Sequence, residues 1–179
     1  MNSKQITEAL RKEYPHATIV IGKDEHPDND YIAALIEPTV NHAHYSATVM
    51  VLGHQALHRH KTTAEIVIVL KGIVEVVIGG QSKMVTEGAF KILQPGEAHE
   101  LSAGGKDSVW VALYAEPGMT SEDTIYGTET GAVQPATEPP SIESLMEFFA
   151  DKHIAVRQSS GNTIVLDTGD GKVFTLSIT

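Results

Sequence analysis

No cysteine occurs anywhere in the 179 residues. Disulfides, thiolate nucleophiles and cysteine metal ligands are therefore excluded together, while the compartment is left open by this feature. A basic tract is missing as well. Twenty-three acidic side chains stand against thirteen basic ones, a formal charge of −10, so phosphate backbones and anionic lipid surfaces should be repelled. Neither a nucleic-acid nor a membrane partner is expected, and the surplus acid is read as a solvated surface. No apolar run approaches a membrane span, and the opening MNSKQITEALRKEY lacks the apolar core of a signal peptide. The expectation is a soluble, cytoplasmic protein. Aromatic residues are scarce, at 6%. Trp110 and Tyr114 share one face of SVWVALYAE, where Tyr114 is a candidate for the wall of a site and Trp110 for packing.

What is present is strand. Ser3 can cap a short helix carrying Ile6, Leu10 and Tyr14 at helical spacing, with Pro15 stopping it. TIVIG at 18–22 and YIAALIE at 31–37 follow. From Tyr45 to Glu116 the chain runs in short apolar or alternating segments, punctuated by Gly53, Gly72, Gly79-Gly80, Gly88, Pro95-Gly96 and Gly104-Gly105. Nothing between them is long enough for a crossover helix, so an antiparallel sandwich or barrel is expected. The composition then turns to Gly, Pro, Thr and acid. Four units are read: 1–44, a helix and flanking strands joining the barrel; 45–116, the core barrel; 117–140, a linker or a loop across the barrel surface; and 141–179, a helix with Ile142, Leu145, Met146 and Phe149 on one face, then a three-strand meander. The last unit is too small to hold a core alone. It should dock on the barrel or on a second copy of the chain.

Nine histidines are unevenly placed. His58 and His60 alternate along a strand and so share one side of a sheet. Glu65 opens the apolar run EIVIVL, where a buried carboxylate without a partner would be costly. Histidines around a shared cation would remove that cost. His99 follows the Pro95-Gly96 turn, again at the start of a strand. Three imidazoles and one carboxylate suit a divalent transition metal: iron, manganese, nickel, cobalt, copper or zinc. His42 and His44 form a second alternating pair, but position 49 is Val rather than a carboxylate, and the pair is read as a solvated approach. His54 shares parity with His58 and His60, and an unkinked strand would aim it into the same cavity as an acid–base group. Gly53 beside it signals a bend. His16, His26 and His153 are read as structural or exposed, and Arg59, between two inward histidines, must point outward.

This pattern resembles the two-motif signature of the cupin superfamily. In the first motif, His-x-His precedes a Glu and then a Gly at intervals that His58, His60, Glu65 and Gly72 reproduce. In the second, Gly88, Gly96 and His99 keep the spacing. Gln94 stands where a Pro is usual, with Pro95 one position later, Ala103 replaces an Asn, and Gly53 is one residue nearer the first histidine. None of these departures removes a ligand. The resemblance covers Tyr45 to Glu116 and implies an all-β, cupin-type antiparallel barrel, a double-stranded β-helix or jelly roll, in a homodimer. It also implies a single metal held by His58, His60, Glu65 and His99.

A metal held by four protein groups keeps positions open for a substrate that chelates through oxygen. The resemblance implies several reaction classes, and fold alone does not choose among them. The first expectation is a dioxygenase-type oxidoreductase acting on a small metabolite. The alternatives are an isomerase or lyase acting on a small sugar or organic acid, in which His54 or Tyr114 would move the proton, and a non-catalytic binding or sensing module.

Overall fold

A computed structural model describes residues 3–41, 43–105 and 108–127, together with three C-terminal strands. The expected helix from Ser141, as well as His42 and His153, lies outside the described residues. Helix α1 (Ser3–Glu13) is followed by β1 (Thr18–Ile21), a single turn α2 (Gly22–Glu25) and β2 (Asp30–Glu37). The barrel continues with β3 (Ser46–His60), β4 (Ala64–Lys71), β5 (Ile73–Ile78), β6 (Gln81–Thr86), β7 (Ala89–Leu93), β8 (His99–Ala103) and β9 (Val109–Glu116). A three-residue strand, β10 (Thr124–Tyr126), comes next. The meander is β11 (Ala155–Ser160), β12 (Thr163–Asp167) and β13 (Val173–Ile178).

The strands form one nearly closed antiparallel barrel, with neighbours in the order β7-β4-β9-β3-β8-β5-β6. β2 adds to β3, and the meander joins through a parallel contact of β13 with β7. Alternation sorts the side chains. Met50 and Leu52 of β3, Val67 and Val69 of β4, Val76 of β5, Leu101 of β8 and Val111 and Leu113 of β9 point inward and fill the barrel. On the outer face Val49 and Val51 meet Ile32 and Ala34. That layer would be wet without a cover, and α1 supplies it. Leu10 is fully buried there, with Ile6, Tyr14 and Trp110 packed around it. Trp110 thus has its expected packing role.

Alternation breaks twice in β3, and both breaks shape the site. Opposite β2, Asp30 pairs with His54 but Tyr31 pairs with Leu52, so Gly53 is an extra residue. A side chain at Gly53 would sit 2.7 Å from the Asp30 carboxylate and 3.0 Å from its carbonyl oxygen. Only glycine fits that approach. Opposite β8, Gln55 pairs with Leu101 and His58 with His99, three residues against two. Each bulge reverses parity, and the two cancel. The inward series therefore runs Met50, Leu52, Gln55, His58, His60.

Candidate metal centre

The four expected ligand residues come together. His58 and His60 end β3, His99 opens β8 directly opposite His58, and Glu65 lies near the start of β4, one strand beyond β9. Its neighbour across β9 is Ala115, too small to fill the space between. All four side chains are buried, and one donor atom from each lies within 4.8 Å of the others. Donors about 2.1 Å from a shared ion would stand roughly 3 to 4 Å apart. A slight contraction closes the set.

The hydrogen bonds set the imidazoles for this role. The Nδ1–H of His58 donates to the Ala56 carbonyl at 2.8 Å, and that of His99 to the Glu97 carbonyl at 2.9 Å. These partners assign the tautomers and turn both Nε2 lone pairs toward the centre. Nε2 of His58 and Oε1 of Glu65 are buried with no partner. Oε2 of Glu65 lies 3.2 Å from Nε2 of His60 and 3.3 Å from Nε2 of His99. Orphaned acceptors crowded at one point are what a bound cation would satisfy. The residues fit a divalent metal.

Behind His60 stands a supporting pair. Its Nδ1 lies 3.3 Å from Thr124 Oγ1 and 3.8 Å from Asp123 Oδ2. Asp123 is itself fixed by the Thr62 backbone N–H at 2.9 Å and the Thr62 hydroxyl at 2.8 Å. Asp123→Asn should keep the fold and weaken metal binding by about 10- to 100-fold, the usual cost of losing such an outer partner. Competition with a chelator of known affinity measures it.

Electrostatics without an ion are tense. Burial, then the neighbouring rings of His99 and His60, pushes the His58 imidazole down to about 3. Burial alone would raise the Glu65 carboxyl, yet contacts with His60 and His99 outweigh it and hold the group well below the usual carboxylate range. Both shifts have the same consequence in acid. In the unfolded chain His58 regains its ordinary pKa of 6.5, so below that pH the unfolded state binds a proton the native state refuses. Metal-free protein should lose roughly 1.4 kcal/mol of stability per pH unit from this group between pH 6.5 and 3. Glu65 adds to the loss below its unfolded pKa. Urea unfolding of metal-free protein at stepped pH checks the slope.

His58 and His60 of the ligand set line a cavity of about 650 Å³. Inward residues of β2, β3 and β9 form much of its wall, among them Ala33, Met50 and Leu113. His54 does not reach it. Two bulges flank His54, one at Gly53 and one between Gln55 and His58, and they turn its ring to the outside, where Nδ1 meets Ser102 Oγ at 3.1 Å and Glu100 at 3.7 Å. Parity counted from His58 is thus corrected by one residue, and Gln55 takes the inward place. Tyr114 is also elsewhere. It alternates with Leu113 and Ala115, which line the cavity, and its ring stacks on Tyr45 while its hydroxyl donates to Glu116 at 3.2 Å.

Other polar groups face the cavity. The Tyr31 hydroxyl of β2 donates to Glu25 of α2. Gly22 makes the approach possible, because a Cβ there would lie 2.8 Å from the Tyr31 ring. Burial, then the Glu25 acceptor, raises the Tyr31 phenol above its ordinary value and keeps it protonated. Tyr126 of β10 lies beside His58, with ring centroids 5.7 Å apart, and its hydroxyl accepts from Asn29 Nδ2 at 3.2 Å. Asn29 Oδ1 in turn accepts the Ala56 N–H at 2.8 Å and ties this corner to β3. The stretch read as a linker thus supplies a strand across the site, with Tyr126 opposite His58 and Thr124 opposite His60. No signal short of tertiary structure joins Glu25, Tyr31 and Tyr126.

Comparison with known proteins places this barrel. No curated protein matches the sequence. A family model described as the cupin domain matches residues 46–114. Among solved structures, a PAC13 variant from Streptomyces with uridine aligns with a TM-score of 0.53 at 7% identity, covering 64% of this chain and 88% of that one. A conserved protein with a double-stranded β-helix domain from Klebsiella pneumoniae gives 0.50 at 16% identity, over 65% and 87% of the two chains. Oxalate decarboxylase from Bacillus subtilis gives 0.52 at 19% identity, over 76% of this chain and 35% of that one. At such identities the likeness is one of fold. The barrel, both motifs and the family match agree on a cupin domain at residues 46–114.

Proposed function

We propose that the protein is a divalent-metal-dependent enzyme acting on a small molecule that chelates through oxygen, by proton transfer in the manner of an isomerase or lyase. One observation carries the reading: the Tyr31–Glu25 pair faces the same cavity as His58 and His60. His58, His60, Glu65 and His99 would hold the metal, which when bound polarises a substrate oxygen and acidifies the adjoining O–H or C–H. The chain's own part is the proton. Tyr31 oxygen receives it from the substrate as the phenolic proton passes to Glu25, so the pair gains one proton and neither oxygen is left unprotected. In the return step Glu25 gives the proton back through Tyr31. Apolar wall residues such as Ala33, Leu113 and Met50 keep water from competing.

A dioxygenase-type reaction is the second reading, supported by the three-imidazole, one-carboxylate donor set, which suits iron. Protein loaded separately with iron, manganese, nickel, cobalt, copper or zinc, and given a panel of small hydroxylated metabolites in deuterium oxide, separates the two. Deuterium entering substrate or product without oxygen uptake is the expected result. Oxygen uptake confined to the iron form would replace it with the dioxygenase reading. Retention of a metabolite with neither change would make the barrel a binding module.

A further inference from the structure

We infer that Gln55 reads the substrate: its amide oxygen accepts a hydrogen bond from a hydroxyl or N–H group on the chelated molecule, a few bonds from the atoms held by the metal. The inference rests on the metal site proposed above and deepens it by naming a specificity-determining residue. Among the described residues lining the cavity, two carry a buried side-chain atom with no partner. One is Nε2 of His58, which a metal would satisfy. The other is Oε1 of Gln55, a residue only 6% exposed. By contrast, the lining hydroxyls of Tyr31, Thr39, Ser46 and Tyr126 are engaged by Glu25, the Met119 carbonyl, the Met119 N–H and Asn29. Asn29 shows an amide used by the fold itself. It is fully buried, its Nδ2 donates to the Gly22 carbonyl and the Tyr126 hydroxyl, and its Oδ1 accepts the Ala56 N–H.

The place of Gln55 follows from the ladder. The two bulges of β3 cancel around it and bring it onto the inner face, opposite Leu101, with His58 opposite His99. Leu101 and His99 are two residues apart on β8, so the Gln55 and His58 positions stand roughly 6 to 7 Å apart along the wall. A short hydroxyalkyl tail on a molecule chelated beside His58 spans that step. An amide oxygen accepts and never donates, and leaving it buried and unpaired carries a penalty that a donor on the ligand removes. A methyl group in the same place leaves the penalty intact.

Two pairs of hydroxamates of matched shape test this. Glycolohydroxamate and propionohydroxamate differ by a hydroxyl in place of a methyl; 3-hydroxypropionohydroxamate and butyrohydroxamate repeat the exchange one carbon farther out. Each is titrated into cobalt-loaded protein and followed by the visible cobalt bands and by calorimetry. In at least one pair the hydroxylated compound should bind tighter by about tenfold or more, since a site built to pair a donor rejects the analogue lacking it. Gln55→Met keeps the length of the side chain and removes the acceptor. There the gap should fall below about threefold, and the urea midpoint of the metal-free variant should equal or exceed that of the wild type. A wild-type gap under about tenfold in both pairs overturns the inference without recourse to any variant. So does a gap that survives in Gln55→Met, or a lowered urea midpoint, which would mean that the protein itself occupies Oε1. Those results, and cobalt-loaded protein that takes up none of the four compounds, overturn the role of Gln55 and leave the metal site standing. Failure to bind cobalt overturns both.

Discussion

Glu65→Gln is expected to lose stoichiometric metal binding, with affinity falling at least a hundredfold for any of the candidate ions. Glutamine keeps the shape of the side chain but removes its charge, and the amide nitrogen faces Nε2 groups that need a ligand or a proton. Loss of a partner that supports a ligand from behind usually costs about 10- to 100-fold, so the only carboxylate among the four donors must cost more. The metal-free protein tells a second story. Glu65 is buried beside His60 and His99, and removing it leaves those rings without their anion. Metal-free Glu65→Gln should therefore lack the part of the acid-induced loss that Glu65 contributes while still losing stability through His58. Elemental analysis after dialysis against a weak chelator gives the binding result. If Glu65→Gln retained one ion per chain, the converging ligand set would not be the metal site.

The second large effect concerns turnover. Once a substrate is found by the exchange assay, Tyr31→Phe should lower kcat by roughly 10²- to 10⁴-fold, the usual contribution of a positioned acid–base group, and leave metal content unchanged. The ring is buried in the barrel, so phenylalanine keeps its packing and loses the hydrogen bond to the Glu25 carboxylate, worth about 1.5 to 3 kcal/mol. Stability and catalysis thus separate cleanly. His54→Ala and Tyr114→Phe provide the contrast, because both side chains lie away from the cavity. A large kcat loss in either, with Tyr31→Phe near wild type, would return the proton-transfer role to the pair that strand parity alone suggests.

How far the chain could be read without coordinates follows from what each feature depends on. His58, His60, Glu65 and His99 were legible because each stands at a strand end or on one strand face, and period two needs only a local count. Leu10 and its helix were legible for the same reason at the helical period. The direction of His54 stays open in the sequence, inward along an unkinked strand or outward at a Gly53 bend, because bulges are made by partners: Gly53 is extra only relative to Asp30, and the shift after Gln55 exists only against Leu101 and His99. A count along one strand cannot contain that. β10 escaped because three residues, Thr124–Tyr126, carry no period, and their pairing with His58 to His60 spans more than sixty positions of the chain. The contact of Glu25 with Tyr31 depends on a single helical turn and on Gly22 having no side chain. Local pattern found the ligands, and long-range packing chose what surrounds them.

The way β13 meets the barrel has a consequence for shortened forms of the chain. β7 has β4, the strand that bears Glu65, on one side and β13 on the other, paired at Ser177–Ala89 and Ile178–Phe90. A chain ending before Ala155 would leave the main-chain amides and carbonyls along β7 without that companion, an open invitation to strand addition by another molecule. Self-association of such a truncated form would then begin one ladder away from the carboxylate donor, and loss of the ion would accompany clumping rather than unfolding.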